Sequence, residues 1–167
     1  MLNYVLNAGK IPRQWKLGEI TPSYKKDNNL ERSNYRPITI LPSFSKVFEK
    51  IVNNNISPHL ESIYHKYVFA YRKHHGFDAA LLRLIENWKM ELDNHKVVGL
   101  MMDLSKPFDK LPHDLLISKL KVYGADDKTA NLIKDYLSNQ RQRVKIGSSY
   151  SDWQNIEMGI PQGSILA

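Results

Sequence analysis

At 167 residues the chain has room for one domain or a large part of one. It has no cysteine, which excludes disulfides and thiolate metal sites and points to an intracellular setting, nucleus or cytoplasm alike. Lys and Arg outnumber Asp and Glu by 24 to 17, a formal charge of +7 that suits a polyanionic partner such as nucleic acid, against the plainer reading of a basic, soluble surface.

The N-terminus lacks the layout of a signal peptide, and the longest apolar runs are too short to span a bilayer. Residues 1–10 read as a helix end stopping at Gly9. Trp15 to Tyr24 alternates weakly and predicts a strand that Pro22 assigns to a sheet edge. Lys25 to Asn34 is a charged loop, and Pro37 to Leu41 is short and extended. Ser43 reads as the cap of a helix with an apolar stripe of Phe44, Val47, Phe48, Ile51 and Val52, which Pro58 should interrupt.

Tyr67 to Gly76 is a basic, aromatic connector. A second helix starts near Asp78 with Leu81, Leu84, Ile85, Trp88 and Leu92 on one face. Val97 to Asp103 shows no alternation and predicts a strand buried on both faces. His113 to Tyr123 and Asp127 to Leu137 predict two helices around Gly124. Gln142 to Ile146 and Trp153 to Met158 predict a hairpin across Gly147-Ser148-Ser149. The order of elements gives an α+β fold with a mainly antiparallel sheet.

Asp103 ends the apolar run Val97-Val98-Gly99-Leu100-Met101-Met102. A carboxylate there is costly unless it is solvated, paired or bound to a metal. Hard cations such as Mg2+ take carboxylate oxygens together with substrate phosphates, and two-metal centres need at least two acids. Taken alone, Asp103 reads first as a turn or helix cap. Asp109 lies beyond Pro107 and reads as an acid capping or pairing locally. The pair Asp126-Asp127 follows Tyr123-Gly124-Ala125 but precedes a helical run, so helix capping explains it.

Four segments in order resemble the reverse transcriptases of non-LTR (LINE-type) retrotransposons, in wording closest to the jockey-like and chicken-repeat-like branches. They are Ser33-Asn34-Tyr35-Arg36-Pro37-Ile38 leading into Lys46-Val47-Phe48-Glu49-Lys50, Phe69 to Gly76 leading into the Ala79-to-Trp88 helix, Asp103 to His113, and Gly159-Ile160-Pro161-Gln162-Gly163-Ser164. The resemblance implies a right-hand polymerase, with fingers over 1–95 and the first part of a palm over 96–167. It implies an RNA-directed DNA polymerase that uses an RNA template, a DNA primer, dNTPs and Mg2+ or Mn2+. Asp103 would be the catalytic metal ligand, with the Leu104 carbonyl a second contact. Phe108 would stand under the sugar and exclude a 2′-hydroxyl. Lys25 (or its neighbour Lys26) and Arg36 would grip the triphosphate, and Gln162 would touch the incoming nucleotide and template.

Two departures qualify this. Pro107 stands where the family commonly has Ala, which could shift Phe108 and Asp109. The family's aromatic-Ala-Asp-Asp segment and its thumb belong beyond residue 167, so these residues alone are expected not to polymerise. Arg72, Lys73, Arg141, Arg143 and Lys145, set among Tyr71, Tyr123, Tyr136 and Tyr150, suggest phosphate contacts with base stacking, and hence a nucleic-acid-binding remnant. A third expectation is an association-prone fragment whose 97–103 strand lacks a partner.

Overall fold

The computed structural model describes residues 1–92 and 98–166, and these form two compact units, 1–55 with 106–166 and 56–105. The first unit is a five-stranded mixed sheet with helices. Its elements are α1 (Leu2–Ala8), β1 (Leu17–Tyr24), β2 (Tyr35–Ile40), the first part of α2 (Ser43–Ile63), the helical turn α4 (Pro107–Lys110), α5 (His113–Val122), α6 (Asp127–Leu137), β3 (Gln140–Ile146), β4 (Ser149–Tyr150) and β5 (Gln154–Ile156). The second unit holds the rest of α2, the connector after it, α3 (Phe77–Leu92) and irregular backbone over 98–105. No described helix is long and apolar enough to cross a membrane.

The predicted α+β class holds, and three of the four ladders are antiparallel: β1 with β2, β3 with β4 and β3 with β5. The fourth, β1 with β3, is parallel. This corrects the edge assignment of β1, which lies inside the sheet. Pro22 is tolerated because β3 pairs only with Leu17 to Ile20, and because Pro22 faces Pro37 across the β2 ladder. Neither proline supplies an N–H, and an antiparallel ladder has non-hydrogen-bonded positions where none is needed.

Two helix expectations also change. Ser43 is the first residue of α2, and α2 continues through Pro58 to Ile63. Proline removes one intrahelical hydrogen bond and strains the preceding turn, but flanking residues can keep the helix going. Asp126 caps α6 as expected, its side chain accepting from the Thr129 amide at 2.9 Å. That hydrogen bonding to Thr129 holds the Asp126 carboxyl below its ordinary value.

The largest correction concerns 97–103. Val97 lies outside the described residues, and 98–103 form no strand. Val98, Leu100, Met101 and Met102 are all more than 80% exposed. A strand buried on both faces requires a hydrogen-bonded neighbour and cover on each side. None of the described strands pairs with this segment.

The core of the first unit is aromatic. Phe48 is 1% exposed, with ring centroids 6.2 Å from Trp15 and 6.0 Å from Tyr136. Beside it, Lys16 is buried, and its Nζ donates to the Asp135 carboxylate at 2.9 Å and to the Asp135 carbonyl. Asp135 also accepts from the Ile11 N–H at 2.9 Å. Burial works to raise its carboxyl, but the Ile11 amide and the Lys16 and Lys10 ammonium groups outweigh it and hold the value below the ordinary 3.8. A depressed carboxyl contributes its stability above the unfolded value and loses it as pH falls through the folded value. Asp135→Asn leaves the Lys16 ammonium buried without a counter-charge, and its unfolding free energy at neutral pH should fall by about 2–4 kcal/mol. Urea titrations should show the gap between parent and variant closing as pH falls below the ordinary carboxyl value of 3.8.

Candidate functional site

The β1–β2 hairpin positions the first pair of predicted residues. Its register pairs Ser23 with Arg36 and Tyr24 with Tyr35, and the Lys25 N–H extends it by donating to Asn34 O at 2.9 Å. Side chains alternate along a strand. Lys25, Ser23 and Arg36 therefore share one face, whereas Lys26 lies in the bend beyond the strand, 4.0 Å from Asp27. Both Lys25 and Arg36 are exposed. The opposite face carries the buried Gly18 and Thr39, so Arg36 and Lys25 lie on the open face.

The same open face continues across the parallel ladder, where Glu19 stands beside Arg143. By alternation Arg141, Arg143 and Lys145 share it. Arg143 is already engaged. It donates from Nε to Glu19 Oε1 at 3.0 Å and from a terminal nitrogen to the same oxygen. Its guanidinium also lies 4.1 Å from the Tyr150 ring and 4.6 Å from the Trp153 ring. Lys145 lies 4.0 Å from Glu19 and 5.4 Å from the Tyr150 ring. Arg141 is exposed and pairs with no acid among the described residues. Tyr136, grouped by sequence with the exposed tyrosines, is 2% exposed, so it packs in the core and offers no face to a base.

The Gly159–Ser164 segment lies against the outer edge of β2. The Thr39 N–H donates to the Gln162 carbonyl at 2.7 Å, so this edge is covered instead of left open. At its other end, the Gly159 N–H donates to Leu111 O and the Ile160 N–H to Phe108 O, each at 2.8 Å. The His113 Nε2 lies 2.7 Å from Gly159 O. Arg36, Phe108 and Gln162, far apart in sequence, thus sit on backbone joined by hydrogen bonds within one unit. Pro107 does not disturb this arrangement. It occupies the first position of α4, where a helix has no use for its N–H and its fixed φ suits the turn.

Asp103, Leu104, Arg72 and Lys73 belong to the second unit. Asp103 and Leu104 are exposed, outside any helix or strand. Arg72 is engaged: its guanidinium donates to Glu61 at 2.9 Å and to Val68 O at 3.1 Å and lies over the Tyr64 ring at 5.6 Å. Lys73 is exposed. Among the described residues no three His, Asp or Glu side chains converge as a metal cluster would require.

Sequence reasoning missed one buried acid. Glu49 on α2 has no exposed surface, and it accepts from the Tyr136 hydroxyl at 2.8 Å and the Ile165 N–H at 2.6 Å. The signal was present: Ser45, Glu49 and Val52 fall at i, i+4 and i+7, on the buried stripe.

Residues 24–167 match the family described as reverse transcriptase (RNA-dependent DNA polymerase). The chain is 32% identical over 170 residues to the probable RNA-directed DNA polymerase from transposon X-element of Drosophila melanogaster, covering 99% of this chain and 19% of that protein. It is 30% identical to the probable RNA-directed DNA polymerase from transposon BS and 28% identical to that of the mobile element jockey, both of Drosophila melanogaster. Those alignments cover 98% and 99% of this chain and 18% of each relative. The chain therefore spans about a fifth of the length of the curated relatives it matches. With four ordered segments, a family match over most of its length and these relatives in agreement, the chain belongs to the reverse transcriptase family, among the polymerases of non-LTR retrotransposons.

Proposed function

We propose that these residues form the nucleotide-gripping part of an RNA-directed DNA polymerase, with fingers over 1–95 and the first part of the palm over 96–167. One observation carries this reading: β2 presents Arg36 on the open sheet face while its outer edge holds Gln162 by the Thr39 bond. In this reading Arg36 and Lys25 hold triphosphate oxygens, since ionised donors make the stronger hydrogen bonds and guanidinium matches phosphate geometry. Phe108 lies under the sugar and favours deoxynucleotides, and Gln162 touches the base pair being formed. Arg141 and Lys145 on the same open face, with Lys73 in the second unit, contact phosphates of template or primer. Arg143 and Arg72 chiefly hold their neighbours in place.

Reverse transcriptases work with divalent metal ions. Asp103 and the Leu104 carbonyl are our assignment for one part of the Mg2+ or Mn2+ site. One carboxylate and one carbonyl do not make a two-metal centre, so the described residues do not fit it by themselves. Residues 1–167 by themselves are therefore expected not to extend a primer.

A fluorescent dNTP titration tests the grip. Arg36→Ala and Lys25→Ala should each weaken binding about tenfold or more, the loss of a charge-assisted hydrogen bond. Lys26→Ala, in the bend beside Asp27, should leave it unchanged. Equal effects at all three positions would remove the preference for Lys25.

Nucleic-acid binding has its own signature. Affinity for a labelled single strand should fall with salt, and Arg141→Ala should flatten the log–log slope by about 0.7, the value of one phosphate contact. A slope that Arg141→Ala leaves untouched would exclude Arg141 from the contact. The exposed 98–102 segment favours a second reading, self-association through this apolar stretch. A monodisperse monomer at micromolar concentration in light scattering would count against it.

A further inference from the structure

We infer that Glu49 and His113 are positioning residues that latch the two ends of the Gly159–Ile165 segment and thereby fix Gln162, an inference that rests on Gln162 being a nucleotide contact. Three elements hold this segment at residues 159, 162 and 165. α5 holds Gly159 through His113, β2 holds Gln162 through the Thr39 amide, and α2 holds Ile165 through Glu49. These three contacts use backbone groups of the segment. The Gln162 side chain makes no hydrogen bond to a described residue and is half-buried.

The chemistry at each end is specific. Glu49 is wholly buried and pairs with no cation among the described residues. Its charge is met by donors alone: the Ser45 hydroxyl at 3.3 Å and Tyr136 hydroxyl at 2.8 Å on Oε1, and the Ile165 N–H on Oε2. A carboxylate so buried is expensive unless its oxygens are satisfied, and ionised acceptors make the stronger bonds to N–H donors. Core packing would be served as well by an apolar residue here, so the geometry points to the Ile165 amide as what the carboxylate is for. Tyr136 supports it as a constant donor, because burial, followed by the Glu49 charge, pushes the phenol above its ordinary value. At the other end the Gly159 oxygen can only accept, so His113 Nε2 carries the proton and donates.

Hydrogen exchange on the 167-residue chain tests the latch directly. Glu49→Leu should speed exchange of the Ile165 amide, and His113→Phe that of Gly159 and Ile160, each by about tenfold, the value of one hydrogen bond. Amides of α6 around Leu132 and Ile133 should keep their protection in both. Glu49→Gln should stay within about threefold of the parent, because its carboxamide oxygen still accepts from Ile165 while its nitrogen donates to the Tyr136 oxygen. If Glu49→Leu does not fold, His113→Phe and Glu49→Gln decide. Unchanged exchange over 159–165 in His113→Phe, or a rise shared equally with α6, would overturn the latch. Glu49→Leu and His113→Phe in a fluorescent dNTP titration should bind about tenfold more weakly, and Glu49→Gln close to the parent. Gln162→Ala separates the two ideas: if it leaves nucleotide affinity unchanged, the nucleotide reading fails while the exchange result still stands or falls by itself.

Discussion

Replacing Gly159 by Ala should cost the first unit at least about 3 kcal/mol, against about 1 kcal/mol for Gly9→Ala. Both glycines have positive φ, +63° at Gly9 and +83° at Gly159. The backbone strain of a left-handed alanine, about 1–2 kcal/mol, is therefore common to both. The difference is space. A Cβ on Gly9 would meet nothing within 4 Å. A Cβ on Gly159 would lie 2.5 Å from Phe108 O, 2.8 Å from Asp109 O and 2.9 Å from the Asp109 carbonyl carbon. These are backbone atoms on the turn that carries Phe108, and they cannot swing aside as a side chain would. Moving them also strains the Gly159–Leu111, Ile160–Phe108 and His113–Gly159 hydrogen bonds. Gly163, with φ +102° and a Cβ contact of 3.3 Å to Thr39 O, should fall between the two. Urea unfolding followed at the buried Trp15 gives the order, and equal losses at Gly9 and Gly159 would show that the Gly159–Phe108 contact is absent.

Phe48→Ala should destabilise the same unit by about 4 kcal/mol, because the side chain is large and sealed between Trp15 and Tyr136 and the vacated space cannot collapse. Phe44 stacks on Trp15 with centroids 6.0 Å apart, yet it is 60% exposed. Its removal should cost less than about 1 kcal/mol, since most of its surface gains nothing from folding. Phe48 adjoins Glu49 on α2, so loss of the core should also loosen the Ile165 amide. Denaturant midpoints of the two variants, with Ile165 exchange measured beside them, test both statements.

The parts legible in the sequence are those whose signal is local. α5, α6 and the β3–β5 hairpin followed from apolar spacing and turn residues within a dozen positions. The Asp126 cap was readable for the same reason. What could not be read depends on distant partners. The parallel pairing of β1 with β3 joins Leu17 to Arg141, and nothing near Pro22 announces it. Residues 98–103 have the composition of a buried strand, but composition does not supply a neighbour. Lys16 and Glu49 look like ordinary surface charges until Asp135, Tyr136 and Ile165 arrive from more than 80 residues away. The candidate site divides in the same way. Arg36 and Gln162 stood out by motif, whereas the sequence could not tell Lys25 from Lys26, and only the hairpin shows Lys25 continuing the strand by its bond to Asn34 O.

We propose that Arg36 and Lys25 grip nucleotide, with Asp103 the single carboxylate assigned to the metal site. Primer extension by the purified 167-residue chain, with a defined RNA template, DNA primer, dNTPs and Mg2+, tests it most directly. No templated incorporation is expected, alongside dNTP binding that Arg36→Ala weakens. Template-dependent, Mg2+-dependent incorporation that disappears with Asp103→Ala would contradict it.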